Sequence, residues 1–386
     1  MGLQRAHGLV LRAFHSIPSH FLLSPHLYAR TLLGNLVRPS GWTFIALLAA
    51  PGAFAQSHES REQLLQRGLA QLHAESFDSA LAVAGELRRR WPEDPAGDVM
   101  AANVYQTMMR DYRVRAFEAP FDSSINRGLQ LAEHQLRQQT TAENWFALGT
   151  SRGYAALHRF RRGDWSVALR DAVIALNAMN RSLQIAPEFI DPALALALYE
   201  YWKGVKLDFG LGILARRRAL AIRLLEKVWL QGRYVSVDAA YSLQTIHMQK
   251  GDYQRALEIN DWLHERFPGN VVCIHHRALL FEKLGRRQEA LATWGKIIDR
   301  VRAFRYPSAG FQAECHLHRA QICEQLAPPV LDRSTALAIA AELELAVMHA
   351  GRRDAGIEID GLFESFAEID KAIAKMVKKY SVAVTR

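Results

Sequence analysis

The sequence predicts an all-α fold of antiparallel helix pairs stacked side by side. Three observations lead there. A turn pattern recurs at fixed spacing: Gly251-Asp252-Tyr253-Gln254-Arg255-Ala256-Leu257 lies 34 residues before Gly285-Arg286-Arg287-Gln288-Glu289-Ala290-Leu291. No long stretch alternates apolar and polar residues with period two, as half-buried strands require. The 386 residues are 49% hydrophobic and 23% charged, close to the soluble globular average. A mean hydropathy of −0.09 excludes a polytopic membrane protein, and apolar residues are too plentiful for a disordered chain.

The first element is a targeting segment, residues 1–55. Residues 1–58 contain no Asp or Glu but carry Arg5, Arg12, Arg30 and Arg38. Arg38 precedes the apolar run Trp42 to Ala50; Pro51-Gly52 breaks any helix, and Ala53-Phe54-Ala55 supplies small residues before Gln56. Positive charge, a short apolar core and an A-x-A site form a secretory signal pattern, with cleavage expected near Ala55. The run is too short for the ~30 Å hydrocarbon core. The expected location is therefore periplasmic or otherwise exported; the alternatives are a membrane-anchored or an organellar protein. Residues 1–36 lie unusually far ahead of a signal, as a start assigned too early or an acid-free transit peptide would place them. Without residues 1–58 the charge falls from +9 to a modest surplus, 44 Lys and Arg against 39 acids. Spread along helices, it is a poor nucleic-acid footprint.

Repeats follow over residues 56–327. Glu75-Ser76-Phe77-Asp78-Ser79-Ala80-Leu81 and Gly163-Asp164-Trp165-Ser166-Val167-Ala168-Leu169 share the shape of the two registered turns. The period, the turn and the Ala-Leu after it resemble the tetratricopeptide repeat family. In such a pair small residues let two helices approach, large apolar ones fill the seam, and proline ends the second helix. The best unit runs from about Val237 to Asn270, with Leu243, His247, Ala256 and Leu263, closed by Pro268-Gly269-Asn270. Gln244 and Asn260 stand where the family prefers small residues, so looser packing is expected there. The next unit, about Val271 to Phe304, keeps Ala278, Phe281 and Ala290 but puts Trp294 at a small position. The first, about Arg61 to Asp94, keeps Leu64, Gly68, Phe77, Ala80, Ala84, Leu87 and Pro92.

Between Asp98 and Arg233 the register loosens. Trp145 to Gly149 looks like part of a first helix, the helix after Asp164 reaches toward Gln184, and Asp191-Pro192 opens another through Trp202. Tyr199 to Tyr253 is similar to a group of exported bacterial tetratricopeptide-repeat proteins. The segments that carry this are Tyr199-Glu200-Tyr201-Trp202-Lys203-Gly204, Gly210-Leu211-Gly212, Arg216-Arg217-Arg218 and Gln231-Gly232-Arg233-Tyr234. The resemblance spans about residues 61–305 and implies a right-handed α-solenoid of five to seven helix pairs.

Pro328-Pro329 marks a break before a C-terminal segment, residues 328–386. Ser334 is a fair N-cap for a helix to His349. Leu362, Phe366, Ile369, Ile373 and Met376 then recur at four- and three-residue steps, one apolar face, with Lys371, Lys375, Lys378 and Lys379 off it. A stack of repeats needs a terminal unit with a polar outer face, and these helices are read as that cap.

Catalytic patterns are weak. Gly149-Thr150-Ser151-Arg152-Gly153 matches G-x-S-x-G, but no strand precedes it and the surroundings read as helix. Asp208-Phe209-Gly210 lacks the other kinase motifs, and Gly210-Leu211-Gly212 lacks a third glycine. Arg216 to Arg218 could meet an anion at a helix start. Cys315, His316, His318 and Cys323, with His275 or His276, invite a metal or enzymatic reading, although zinc wants convergent ligands. Three cysteines without C-x-x-C are not a disulfide framework, and only Cys315 with Cys323 remains as a pair.

The expectation is a non-enzymatic protein-interaction scaffold with no cofactor, exported to the cell envelope. It would hold a peptide or partner protein in the concave groove made by the first helices. The repeat resemblance implies inward positions Asp238, Tyr241, Thr245, Met248, Gln249, His275, Leu279, Glu282 and Lys283.

Overall fold

The computed structural model describes residues 59–207, 215–329 and 332–384. The targeting segment and the Asp208-Phe209-Gly210 and Gly210-Leu211-Gly212 motifs lie outside them. Among the described residues there are 15 helices and no strand. They are α1 (Arg61–His73), α2 (Phe77–Arg90), α3 (Ala96–Tyr112), α4 (Glu118–Gln138), α5 (Ala142–Arg161), α6 (Trp165–Ile185), α7 (Ala193–Leu207) and α8 (Ala215–Gln231). The remainder are α9 (Ser236–Gln249), α10 (Tyr253–Arg266), α11 (Val271–Lys283), α12 (Arg287–Ala303), α13 (Ala309–Leu326), α14 (Arg333–Gly351) and α15 (Phe366–Val384).

Each helix packs chiefly on its chain neighbours, so the molecule is a stack of seven helix pairs, α1/α2 through α13/α14, with α15 lying on the last. No described helix is long and apolar enough to cross a membrane. The pairing rests on the small residues that follow each turn. Ala80, Ala256 and Ala290 are completely buried and Ala168 is 2% exposed, so two backbones meet at each. The turns are equally specific. Gly163, Gly251 and Gly285 have φ of +87°, +76° and +72°, a region other residues enter at a cost. Glu75 occupies the equivalent place in the first pair at φ +57°.

Helix starts are capped from side chains. Ser60 and Gln63 form a capping box on α1, and Thr141, Asn270 and Ser308 accept from the third residue of α5, α11 and α13. At α14 the cap is Asp332 rather than Ser334: its carboxylate accepts from Thr335 N at 2.7 Å, and Ser334 itself donates to it. A carboxylate at a helix N-terminus also meets the positive end of the dipole. Gln244 and Asn260 do not loosen their unit. Both are completely buried; Asn260 Nδ2 donates to Cys273 O at 2.9 Å, and Gln244 Oε1 lies 3.1 Å from His276 Nδ1, so each ties its pair to α11.

The stack curls until its N-terminal pair meets its C-terminal half. Asn270 Nδ2 donates to His73 O at 3.0 Å, and Glu75 accepts from Val271 N, Tyr112 OH and Arg300. Tyr112 stacks on Phe304 with centroids 3.7 Å apart, and Phe77 meets the same ring edge-on. One buried apolar cluster therefore joins Leu72, Phe77 and Phe121 to Ile274, Trp294 and Phe311. The loop before α15 completes the closure: Val114 and Glu358 form an antiparallel bridge, and Ile359 N donates to Arg113 O at 3.0 Å.

Candidate functional site

The first helices of successive pairs turn charged and aromatic side chains toward one interior. α1 contributes His73, α3 Arg110 and Asp111, α5 Tyr154 and Arg161, α9 Asp238 and Tyr241, and α11 His276. These groups feel one another's charge: Asp238 acts on His73, Arg110 and Tyr154, and Arg110 acts on Arg161, Tyr241 and His276. Arg110 pairs with Asp111 at 2.5 Å and keeps a third of its side chain accessible, although burial is the leading influence on its charge. Arg110 thus stands at a partly accessible edge of an otherwise largely desolvated interior.

Two charged side chains there are in no ion pair at bonding distance among the described residues, although Asp111 acts on Arg161, and His73 and Arg110 act on Asp238, from further away. Arg161 makes no ion pair or hydrogen bond; burial, then the like charge of Arg110, pushes it down to about 10. Asp238 meets only a backbone N–H, and burial raises its carboxyl. Withdrawing a charge from water without a partner at bonding distance is costly, so both positions weaken the fold. Gln106 Oε1 and Gln244 Nε2, on residues that are 1% and 0% exposed, are also without partners. Burial raises Tyr154 and Tyr241 and lowers His276 to about 3, which leaves them neutral hydrogen-bonding groups. Beside Arg161 lies a water-sized cavity of about 20 Å³, shared with Met109, His158 and Ile359.

The nine residues expected along an open groove separate into three groups. Asp238 and Tyr241 belong to the interior chamber, Tyr241 OH donating to Asn270 Oδ1 at 2.9 Å. Gln249 and Lys283 are exposed at the ends of α9 and α11. The other five are engaged within the fold, by the N-terminal pairs, by their own helix or by α12 and α13. Thr245 is buried and donates to Tyr241 O; Met248 is buried, and Leu279 packs on the same apolar cluster. His275 Nε2 lies 2.8 Å from Glu314 Oε1, and Arg113 clamps that carboxylate from the other side. Glu282 accepts from Trp294 Nε1 at 2.5 Å and pairs with His318 at 3.0 Å.

The remaining motifs are equally tied down. Ser151 sits inside α5 and donates to Ala147 O at 2.7 Å. His316 and His318 turn to different carboxylates, Glu342 and Glu282, and burial drives the Cys315 thiol well up. Among the described residues no three His, Cys, Asp or Glu converge as metal ligands. Cys315 and Cys323, eight residues apart on α13, are separated by about 12 Å of helix rise, beyond the reach of a disulfide. Arg217, of the basic helix start, lies 3.9 Å from Glu200, and Arg218 donates to Gly204 O.

Sequence reasoning missed the chamber's Arg110, Asp111, Tyr154 and Arg161. A signal existed: Met108-Met109-Arg110-Asp111 and Phe160-Arg161 place charge beside apolar residues on first helices, where solvent cannot account for it.

No protein-family model matches the chain, and no curated protein matches it. Among solved structures it is similar to yeast Tom70, at 12% identity and a TM-score of 0.40, covering 84% of this chain and 72% of that one. It is also similar to a tetratricopeptide repeat protein from Parabacteroides merdae ATCC 43184, at 15% identity and a TM-score of 0.32, covering 81% of this chain and 98% of that one. The chain's own registered turns, buried alanines and helix pairs make its fold an all-α, tetratricopeptide-like stack.

Proposed function

We propose that this protein is a non-enzymatic binding scaffold whose partner is a protein or peptide held at the interior made by the first helices. The observation that carries the reading is Arg161 on α5 and Asp238 on α9, two largely desolvated charges with no ion-pair partner at bonding distance. A segment bearing an acid and a base would neutralise both, and the tyrosines and glutamines around them offer hydrogen bonds. Without a partner the two charges weaken the fold, so replacing them has opposite effects on stability and on binding. Arg161→Met should leave the free protein as stable or up to about 2 kcal/mol more so, because an unpaired buried charge is removed. The same change, and Asp238→Asn, should reduce recovery of one specific crosslinked partner, identified by mass spectrometry, by about tenfold. Unchanged recovery with both variants would end the assignment. Glu282 is a poor probe, because its substitution breaks the Trp294 and His318 contacts.

The proposed setting is the cell envelope. The acid-free leader, with its apolar run from Trp42 and Ala53-Phe54-Ala55, supports export. N-terminal sequencing of the cellular protein tests it: a chain beginning at Gln56 is the expected form, and one retaining the run from Trp42 would favour a membrane-anchored scaffold.

A further inference from the structure

Helices α14 and α15 pack on each other, yet fourteen residues, 352–365, join Gly351 to Phe366. Neighbouring helices need a connection of about two to eight residues. Loops of this length that form no element of their own are uncommon, and they mark lids, binding loops or linkers. Here the extra length carries a strap across the inner helices α3, α11 and α13.

The strap is held as a bound peptide would be. Its backbone pairs with the segment after α3: Arg115 N donates to Ile357 O at 2.6 Å, and Ile359 N donates to Arg113 O at 3.0 Å. Glu358 is 8% exposed and accepts from Ser308 Oγ at 2.5 Å and Gly310 N at 2.7 Å, at the start of α13 where the helix dipole favours a carboxylate. Phe363 meets the His276 ring edge-on at 5.2 Å, and Glu364 lies 3.3 Å from His318. Gly361 passes so close to Arg113 that a Cβ would stand 2.6 Å from its guanidinium. The grip is shallow nonetheless. Of residues 354–365 only Glu358 and Gly361 are buried, while Ile357 is 48% exposed and Asp360 faces solvent. A segment with so few buried apolar contacts lies at the low end of local stability.

We propose that the strap stands in for the partner. The face beneath it binds an extended segment in which acids alternate with apolar residues, as in Ile357-Glu358-Ile359-Asp360 and Phe363-Glu364, and the strap gives way to that segment. This rests on the reading that the inner helices bind a protein segment, and adds the chemistry of that segment and the control of its access. A tethered strap acts at an effective concentration of about 1 mM, so a partner needs a contact the strap lacks. Arg161 supplies one: it shares a small cavity with Ile359 and is left without an ion pair, so an acid at the Ile359 place would meet it.

A labelled peptide with the sequence of residues 354–365, titrated into the full-length protein and followed by fluorescence anisotropy, tests the proposal. It should bind with an apparent Kd of about 1 mM, and the protein's own Ile359 amide should exchange faster as the strap is displaced. The same peptide carrying Ile359→Asp should bind about tenfold more tightly, a gain that Arg161→Met in the protein removes. Arg115→Cys with Ile357→Cys provides the lock. These residues face each other across the antiparallel pairing, with Cα atoms about 5.5 Å apart, within disulfide reach. The oxidised form should bind the peptide at least about tenfold more weakly than the reduced form of the same protein, whose melting temperature verifies its fold. The native-sequence peptide forms no ion pair with Arg161 or Asp238, so its displacement of the strap can fail or succeed independently of the partner assay with those two variants. Equal binding by the oxidised and reduced forms, binding that leaves Ile359 exchange unchanged, no gain from Ile359→Asp, or no binding of either peptide at about 5 mM would each overturn the proposal.

Discussion

His318 shows how one buried side chain can set a pH dependence for the whole fold. It is 6% exposed, stacks on Trp294 at 4.3 Å, and stands between Glu282 at 3.0 Å and Glu364 at 3.3 Å. Burial alone would lower it, but its hydrogen bonds to those two carboxylates, with the charges of Glu282 and Glu314, raise it to about 10. A base raised in the folded state contributes stability that is complete below its unfolded value of about 6.5 and fades as pH climbs toward its folded value. Thermal unfolding should therefore show a loss, up to about 5 kcal/mol, between pH 6.5 and 10. Glu282→Gln should lower stability at pH 6.5 and flatten that decline; an equally steep decline in the variant would place the effect elsewhere. None of this was legible in the sequence, where His318 read as a weak metal candidate. Its two acids come from α11 and from the loop before α15, 36 and 46 residues away.

At the level of elements the sequence was most informative where the physics is local. A positive φ at a tight turn, a small residue where two helices touch and a proline after the second helix lie within one repeat. That is why Gly251, Ala256 and Pro268 could be read directly. Glu75 is the informative exception. It stands at the glycine place of the first turn with φ +57°, and its carboxylate holds Val271 N at 2.6 Å, Tyr112 OH at 2.5 Å and Arg300 at 2.8 Å. The left-handed conformation of a side-chain-bearing residue costs about 1–2 kcal/mol. Losing a buried acceptor for three donors costs about 1–3 kcal/mol for each donor left bare. The second effect wins, so Glu75→Gly should destabilise by about 2–4 kcal/mol even though the turn prefers glycine. Gly251→Ala, at a turn with nothing within 4 Å of the added methyl, should lose only the conformational preference, about 1 kcal/mol. Chemical denaturation of the two variants compares them, and a stabilised Glu75→Gly protein would show that the first pair does not need its anchor to α11.

Across the whole molecule the decisive contacts are those the repeat pattern could not announce. The groove expectation followed from a stack that stays open; this one curves until Arg113 reaches Glu314, 201 residues later in the chain. Closure depends on the accumulated angle of several pairs, which no single repeat encodes, so the interior that replaced the groove was illegible even though its walls were not. Arg113 itself adopts φ +58°, lays its guanidinium over Phe311 at 3.8 Å, and holds both oxygens of Glu314, with His275 on the same carboxylate. Its partner keeps the Glu314 carboxyl well below the usual range. That contribution is present above about pH 4.5 and fades as pH falls toward the depressed value. Arg113→Met alone strands a buried carboxylate and should cost about 3–5 kcal/mol. Arg113→Met with Glu314→Met removes both charges from a site that is nearly dry, and should recover most of that loss. Hydrogen exchange reports the closure itself: the amide of Ile359, bonded to Arg113 O, should exchange faster in the single variant, while amides inside α9 and α10 keep their protection. If Ile359 and the α9–α10 pair lose protection together, the ends do not open as a unit, and the ring is held by the aromatic seam of Tyr112 and Phe304 rather than by this ion pair.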